Sequence, residues 1–176
     1  MTGQDNLPDG SGSVVDETVW RGIEAFYRRE ILLLQERRYR EWLQLMDDRI
    51  EYRVPVTTST NEGLIVADGA IGYYDEDAEL LEARVAKLES KQSWVENPPS
   101  RLRYFVQLLD VQKVDENSWL ARSNLLLFQS RWNLDQQFTG DRLDVLNGSE
   151  AGLKLRSRTV TMDRQVFTHQ GLSVFF

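Results

Sequence analysis

Two sets of side chains in this 176-residue sequence have the types and spacing to do chemistry. Asp47 and Asp48 are adjacent carboxylates, and Tyr52 follows shortly after them. Two acids and a phenol sharing a pocket that separates their pKa values would make a general acid–base set, suited to an isomerase or dehydratase. His169, the sole histidine, would be its fourth member. Plainer readings compete. Asp47-Asp48 also suits the end of a helix leading into a strand. His169 sits beside a turn with no serine or cysteine nucleophile set out for it, as a structural histidine would. The second set is Arg142 and Asp144, two apart and therefore on one face of a strand. They could read a ligand, or form a structural charge network with Arg156 or Arg158, and the network is the stronger reading.

What is missing restricts the chemistry further. There is no cysteine, which removes disulfides, thiolate nucleophiles, cysteine-ligated iron–sulfur clusters and Cys-based zinc sites. One histidine cannot build a Rieske centre, which needs two, nor a two-His-one-carboxylate iron site. No phosphate loop of the G-x-x-x-x-G-K-[ST] type occurs, and no G-x-G-x-x-G follows a strand. A net charge of −7 argues against nonspecific binding to nucleic acid or an anionic membrane. No run approaches the roughly 18 apolar residues of a membrane span. No basic-then-apolar start marks a secretory signal, so a cytoplasmic protein is expected.

The elements that must position these residues change character at Asn97-Pro98-Pro99-Ser100. Proline removes a backbone donor and drives the preceding residue out of the α region. Residues 1–15 (MTGQDNLPDGSGSVV) offer little to bury and read as a mobile arm, leaving 16–176 as a single domain. Asp16 is placed to cap a helix running to about Gln35, with an apolar stripe of Trp20, Ile23, Tyr27, Ile31 and Leu34. Tyr39, Trp42, Leu43 and Met46 fit a short second helix. Beside them Arg37, Arg38 and Arg40 read as a solvated face rather than a partner patch. Ile50, Tyr52, Val54 and Val56 alternate as a first strand. Residues 57–74 read as loop with one short strand. Asp75 then opens a third helix whose buried stripe is Ala78, Leu81, Val85 and Leu88.

After the double proline, turn signals recur at 115–117, 133–135, 147–149, 163–164 and 170–171. They delimit strands over 101–114, 118–132, 136–146, 153–162 and 172–176, several of them long enough to require strong twist and curvature. Thr139-Gly140 suggests a bulge. Short connections imply antiparallel pairing. The expected fold is α+β: three N-terminal helices packed on the concave side of a strongly curved, mainly antiparallel sheet.

The same double-proline segment carries a family resemblance. N-P-P-S-R-L-R-Y is similar to the P-x-S-R-x-R-H segment of the small (β) subunits of aromatic-ring-hydroxylating dioxygenases. Upstream, Phe26-Tyr27-x-x-Glu30, Trp42-Leu43 and the Ile50–Val56 run resemble that family's helical start and its I-x-Y-x-x-P-V strand. Downstream, Gly140-Asp141-Arg142-Leu143-Asp144 resembles its G-x-R-x-D segment. Arg158–Asp163 and Leu172–Phe176 resemble its final two strands. The departures are Tyr104 in place of a common histidine, Leu108 in place of asparagine, and Gln170-Gly171 in place of a late asparagine.

The resemblance implies a nuclear-transport-factor-like cone and a mainly structural, non-catalytic chain. It implies a terminal oxygenase of three large and three small subunits, with the small ones forming a trimer. The Rieske iron–sulfur cluster and mononuclear iron would sit in the large (α) subunit and no cofactor in this chain. Arg101, Arg103, Tyr104, Arg142, Asp144 and Arg158 become candidate subunit contacts.

Overall fold

The computed structural model describes residues 15–60, 63–66, 72–90, 98–132, 134–149, 152–164 and 173–176. The expected arm, apart from Val15, and His169 lie outside the described residues. Helix α1 (Glu17–Gln35) begins where Asp16 accepts a hydrogen bond from the Thr18 amide at 2.9 Å. Its buried face is Ile23, Phe26, Tyr27, Glu30, Leu33 and Leu34, while Trp20 and Ile31 of the expected stripe are only half-buried. Arg37 then takes a left-handed turn (φ 57°), and its guanidinium donates to the Ser100 carbonyl. That contact ties the end of α1 to the residue after the double proline. Helix α2 is short (Tyr39–Leu43) and buries Tyr39 and Trp42.

Strand β1 (Met46–Val54) starts earlier than the sequence suggests, so Met46, Asp47 and Asp48 belong to it and not to a helix end. The stretch read as loop holds a hairpin of β2 (Thr57–Thr60) and β3 (Gly63–Val66), followed by β4 (Tyr74–Glu76). Helix α3 (Ala78–Glu89) is capped by Asp77, whose side chain accepts from the Leu80 amide at 2.9 Å. Asp75 and Glu76 are strand residues instead. Glu76 is buried, and the Arg84 guanidinium that pairs with it lies 4.1 Å from the Tyr74 ring centre.

Beyond the prolines the described residues form four long strands: β5 (Arg101–Asp115), β6 (Ser118–Arg131), β7 (Leu134–Ser149) and β8 (Gly152–Met162). With β1 and β4 they form one curved sheet in the order β4-β1-β8-β7-β6-β5. Among the described residues every pairing in it is antiparallel except β1 with β8. Those two strands are joined by most of the chain, which is what parallel neighbours require.

Asn147-Gly148-Ser149 is not the turn; β7 runs on through it, and Ser149 pairs with Gly152. Register breaks between β5 and β6 fall at Leu108/Asp110 and Lys113/Asp115, and none falls at Gly140. Glycine is needed there because a Cβ would stand 2.5 Å from the Thr161 carbonyl oxygen. The final segment, Ser173–Phe176, forms no strand. Val174, Phe175 and Phe176 turn inward and join a core of α1, α2 and α3 residues against the inward side chains of the sheet.

Candidate functional site

Alternation along β7 and β8 sends Arg142, Asp144 and Arg158 to the inner face of the sheet, and the α1 period sends Tyr27 and Glu30 down to meet them. The result is an ion cluster enclosed by its own chain. Arg158 uses all five of its N–H donors within it. Nε and Nη2 donate to the two oxygens of Asp144, each at 2.8 Å. Nη1 and Nη2 donate to the two oxygens of Glu30 at 2.6 and 3.1 Å. Nη1 also donates to the Phe176 main-chain oxygen at 2.9 Å. Arg142 Nη2 bridges Glu30 (2.8 Å) and Asp144 (3.3 Å), and its guanidinium lies over the Tyr27 ring. Trp42 Nε1 donates to Glu30 at 3.3 Å, and the Tyr27 hydroxyl donates to Asp144 at 2.9 Å.

Two guanidiniums face two carboxylates, so the cluster is formally neutral. Burial pushes the Asp144 carboxyl up, to about 7, and the Glu30 carboxylate adds to the rise, while Arg142 and the Tyr27 hydroxyl oppose it. Every hydrogen bond to Asp144 comes from a donor, the bonding pattern of the ionised acid. Burial likewise raises Tyr27 and Tyr52 above the ordinary phenol value. None of the four charged side chains exceeds 1% exposure. Such a set cannot reach a substrate from solvent; it fixes α1 to β7 and β8.

The charge network joins through Arg158. Arg156 stands elsewhere, paired with Glu51 at 3.5 Å. Glu30 was the unrecognised member, although an acid lying one turn from Tyr27 on an apolar helical stripe is a usable signal. Of the six candidate contact residues, Arg142, Asp144, Arg158 and Tyr104 are all buried and present no surface to a neighbour. Tyr104 points inward, its hydroxyl donating to the Phe175 carbonyl at 2.7 Å. Arg101 and Arg103 are exposed on the outer face of β5.

The acid–base set does not assemble. Asp48 is exposed, while Asp47 is half-buried and accepts from the Arg49 amide and the Asn147 side chain. Tyr52 is four residues on from Asp48, roughly 13 Å along the strand, and fully buried. Its hydroxyl donates to the Phe176 main-chain oxygen and accepts from the Phe176 amide. The arginines of the 37–40 run are engaged within the chain: Arg38 with Glu36 and Glu41, Arg40 with Glu82 and Glu89.

On the outside of the sheet, Arg103 pairs in register with Phe128, and the Phe105 and Phe128 rings meet edge to face at 6.2 Å. Phe105 is 58% exposed and Trp132, just beyond β6, is 73% exposed. Arginine and aromatic side chains are the types that concentrate at protein interfaces.

A family model described as the ring hydroxylating beta subunit matches residues 29–169. The biphenyl 2,3-dioxygenase subunit beta of Rhodococcus jostii (strain RHA1) is 35% identical over 174 residues, spanning 92% of this chain and 91% of its own. A benzene 1,2-dioxygenase subunit beta of Pseudomonas putida is 33% identical over 168 residues, spanning 88% and 87%. Among solved structures, naphthalene 1,2-dioxygenase with indole bound in its active site superposes with a TM-score of 0.79 at 24% identity, over 92% of this chain and 87% of that one. The beta subunit of benzoate 1,2-dioxygenase from Burkholderia mallei gives 0.65 at 21% identity, over 80% and 88%. These likenesses show the fold, the nuclear-transport-factor-like curved sheet packed with helices. The family model and the relatives above 30% identity along most of their length show more: the chain belongs to the beta subunits of ring-hydroxylating dioxygenases.

Proposed function

We propose that this chain is the small, mainly structural subunit of a terminal oxygenase that dihydroxylates aromatic rings. It assembles in the cytoplasm with a large subunit, three of each, and the small subunits form a trimer. The names of its relatives, biphenyl and benzene dioxygenases among them, point to aromatic hydrocarbons as the substrate class of the whole enzyme. The Rieske cluster and the mononuclear iron belong to the large subunit. The donor set of this chain does not suit either centre: it has no cysteine and one histidine, and both acids of its buried cluster are held by guanidiniums.

The observation that carries this reading is the enclosure of the Glu30–Arg142–Asp144–Arg158 cluster. The strongest constellation of ionisable groups in the described structure is closed to substrate and serves the shape of the cone. A rigid cone suits a part whose task is to hold larger subunits in register, because misplacing reacting groups by about 1 Å across a subunit boundary is costly. Arg101 and Arg103, with Phe105 and Phe128 beside them, form the contact face for a neighbouring subunit. No helix among the described residues is long and apolar enough to cross a membrane.

The test is co-production with a large subunit that carries the iron ligands. Co-purification as a complex of both chains is expected; a chain that elutes alone and leaves the large subunit's assembly and activity unchanged overturns the reading.

A further inference from the structure

Two buried polar atoms without a hydrogen-bond partner among the described residues stand on neighbouring strands. They are Ser123 Oγ and Arg142 Nε. Ser123 of β6 and Arg142 of β7 are paired in register, and both are enclosed, at 0% and 1% exposure. Residues paired in this way on one face have Cβ atoms about 5 Å apart. A hydroxyl and a guanidinium N–H left without partners in an interior are costly, and native folds rarely leave either so.

Small side chains give this place room. Opposite the ion cluster the inner face of β6 carries two of them, Ala121 across from Asp144 and Ser123 across from Arg142. On the other side of Ser123, β5 breaks register between Leu108, the residue paired with Ser123, and Asp110. Such a break bends the strand that carries it. The far end of the Arg142 side chain is already engaged, with Nη2 bridging Glu30 and Asp144. That anchor fixes where Nε stands.

We propose that Ser123 and Arg142 together bind one buried water, which accepts from Arg142 Nε and donates to Ser123 Oγ. Two polar partners are enough to hold a water inside a fold. A halide is the other small ligand that a hydroxyl and a guanidinium N–H suit. The charges decide against it: two guanidiniums already face two carboxylates, so an anion would enter the interior uncompensated. Bridged by the water, the network that joins α1, β7 and β8 reaches β6 as well. The site lies within one chain and holds whatever that chain assembles with.

The experiment has a structural arm and a stability arm. Crystals of the native chain, in whatever assembly it purifies, are grown from halide-free and from bromide buffers and measured at high resolution. One water within about 2.7–3.2 Å of both atoms is expected, with no anomalous bromide signal there. Ser123→Ala is then melted beside the native chain. A hydroxyl that serves a bound water stabilises the fold, so its loss should lower Tm by about 2–4 °C. A hydroxyl with no partner at all is a burden, and removing it would raise Tm instead. No density between the two atoms, a bromide peak in that place, or a Tm that does not fall overturns the proposal.

Discussion

Arg158 and Glu30, 128 positions apart in the chain, meet in a two-pronged fork, with Nη1 on Oε1 at 2.6 Å and Nη2 on Oε2 at 3.1 Å. The fork is fully buried and joins the first helix to the last strand of the sheet. A buried ion pair adds little net stability over an apolar pair of the same shape, but removing one partner strands the other charge without water. The cluster is therefore a constraint on shape more than a source of stability.

Glu30→Ala leaves Arg142 and Arg158 facing a single carboxylate. The expected loss is about 3–5 kcal/mol, seen as a fall in Tm on the order of 10 °C for a chain of this size. Arg158→Lys should be destabilising too, since an ammonium has three donors for the five bonds the guanidinium makes. Thermal melts check both; a change within 2 °C for Glu30→Ala would show that the fork does not constrain the fold.

Tyr104 stands where the family resemblance places histidine, and here its hydroxyl serves the Phe175 carbonyl in the interior. Tyr104→Phe keeps the ring and removes that donor, so about 1–3 kcal/mol should be lost to an unpaired buried acceptor. Chemical denaturation would measure it, with the midpoint falling and the slope unchanged.

Burial raises four phenols, Tyr27, Tyr52, Tyr74 and Tyr104, above their ordinary value of 10.0. Below pH 10 both folded and unfolded chains keep these protons, and the stabilisation is fully present. Above it the unfolded chain releases protons that the folded one retains, so stability falls as pH rises, by about 1.4 kcal/mol per pH unit for each phenol. Tyrosinate absorbance should therefore appear for these four in one step together with loss of structure. A gradual titration in the folded protein would contradict their burial.

Much of this architecture is legible in the sequence where the deciding physics is local. The Asp16 cap, the extent of α1 and the long strands after Pro99 follow from caps, periodicity and turn residues that act within a few positions. What was not legible depends on distant partners. Asn147-Gly148-Ser149 has turn composition, but pairing with β8 carries β7 through it. Leu172–Phe176 alternates like a strand, yet its final residues enter the interior, where side chains from four strands serve its backbone. Arg142 and Asp144 were readable as a pair two residues apart. Glu30 shows itself locally only as an acid one turn from Tyr27 on an apolar stripe; its partners, 112 and 128 positions away, are named by the fold alone.

Arg101 and Arg103 project outward next to the Phe105–Phe128 pair. Reversing both charges with Arg101→Glu and Arg103→Glu should leave the isolated chain's stability within about 0.5 kcal/mol, as exposed substitutions do. Association with a large subunit should weaken by roughly 30-fold or more, the scale of an interface hot spot. Sedimentation of the mixed chains would show it; unchanged assembly would place the contact face elsewhere on the cone.

On the proposed function this chain is a structural partner with no active site of its own. The decisive measurement is the mass and activity of the complex formed with a large subunit bearing the iron ligands. A single species of three large and three small chains that oxidises an aromatic substrate is expected. All the iron should lie in the large chain, and activity should survive Asp48→Asn in this one. A small chain that stays apart from the large subunit, or that turns over a substrate alone and loses that activity on Asp48→Asn, would contradict it.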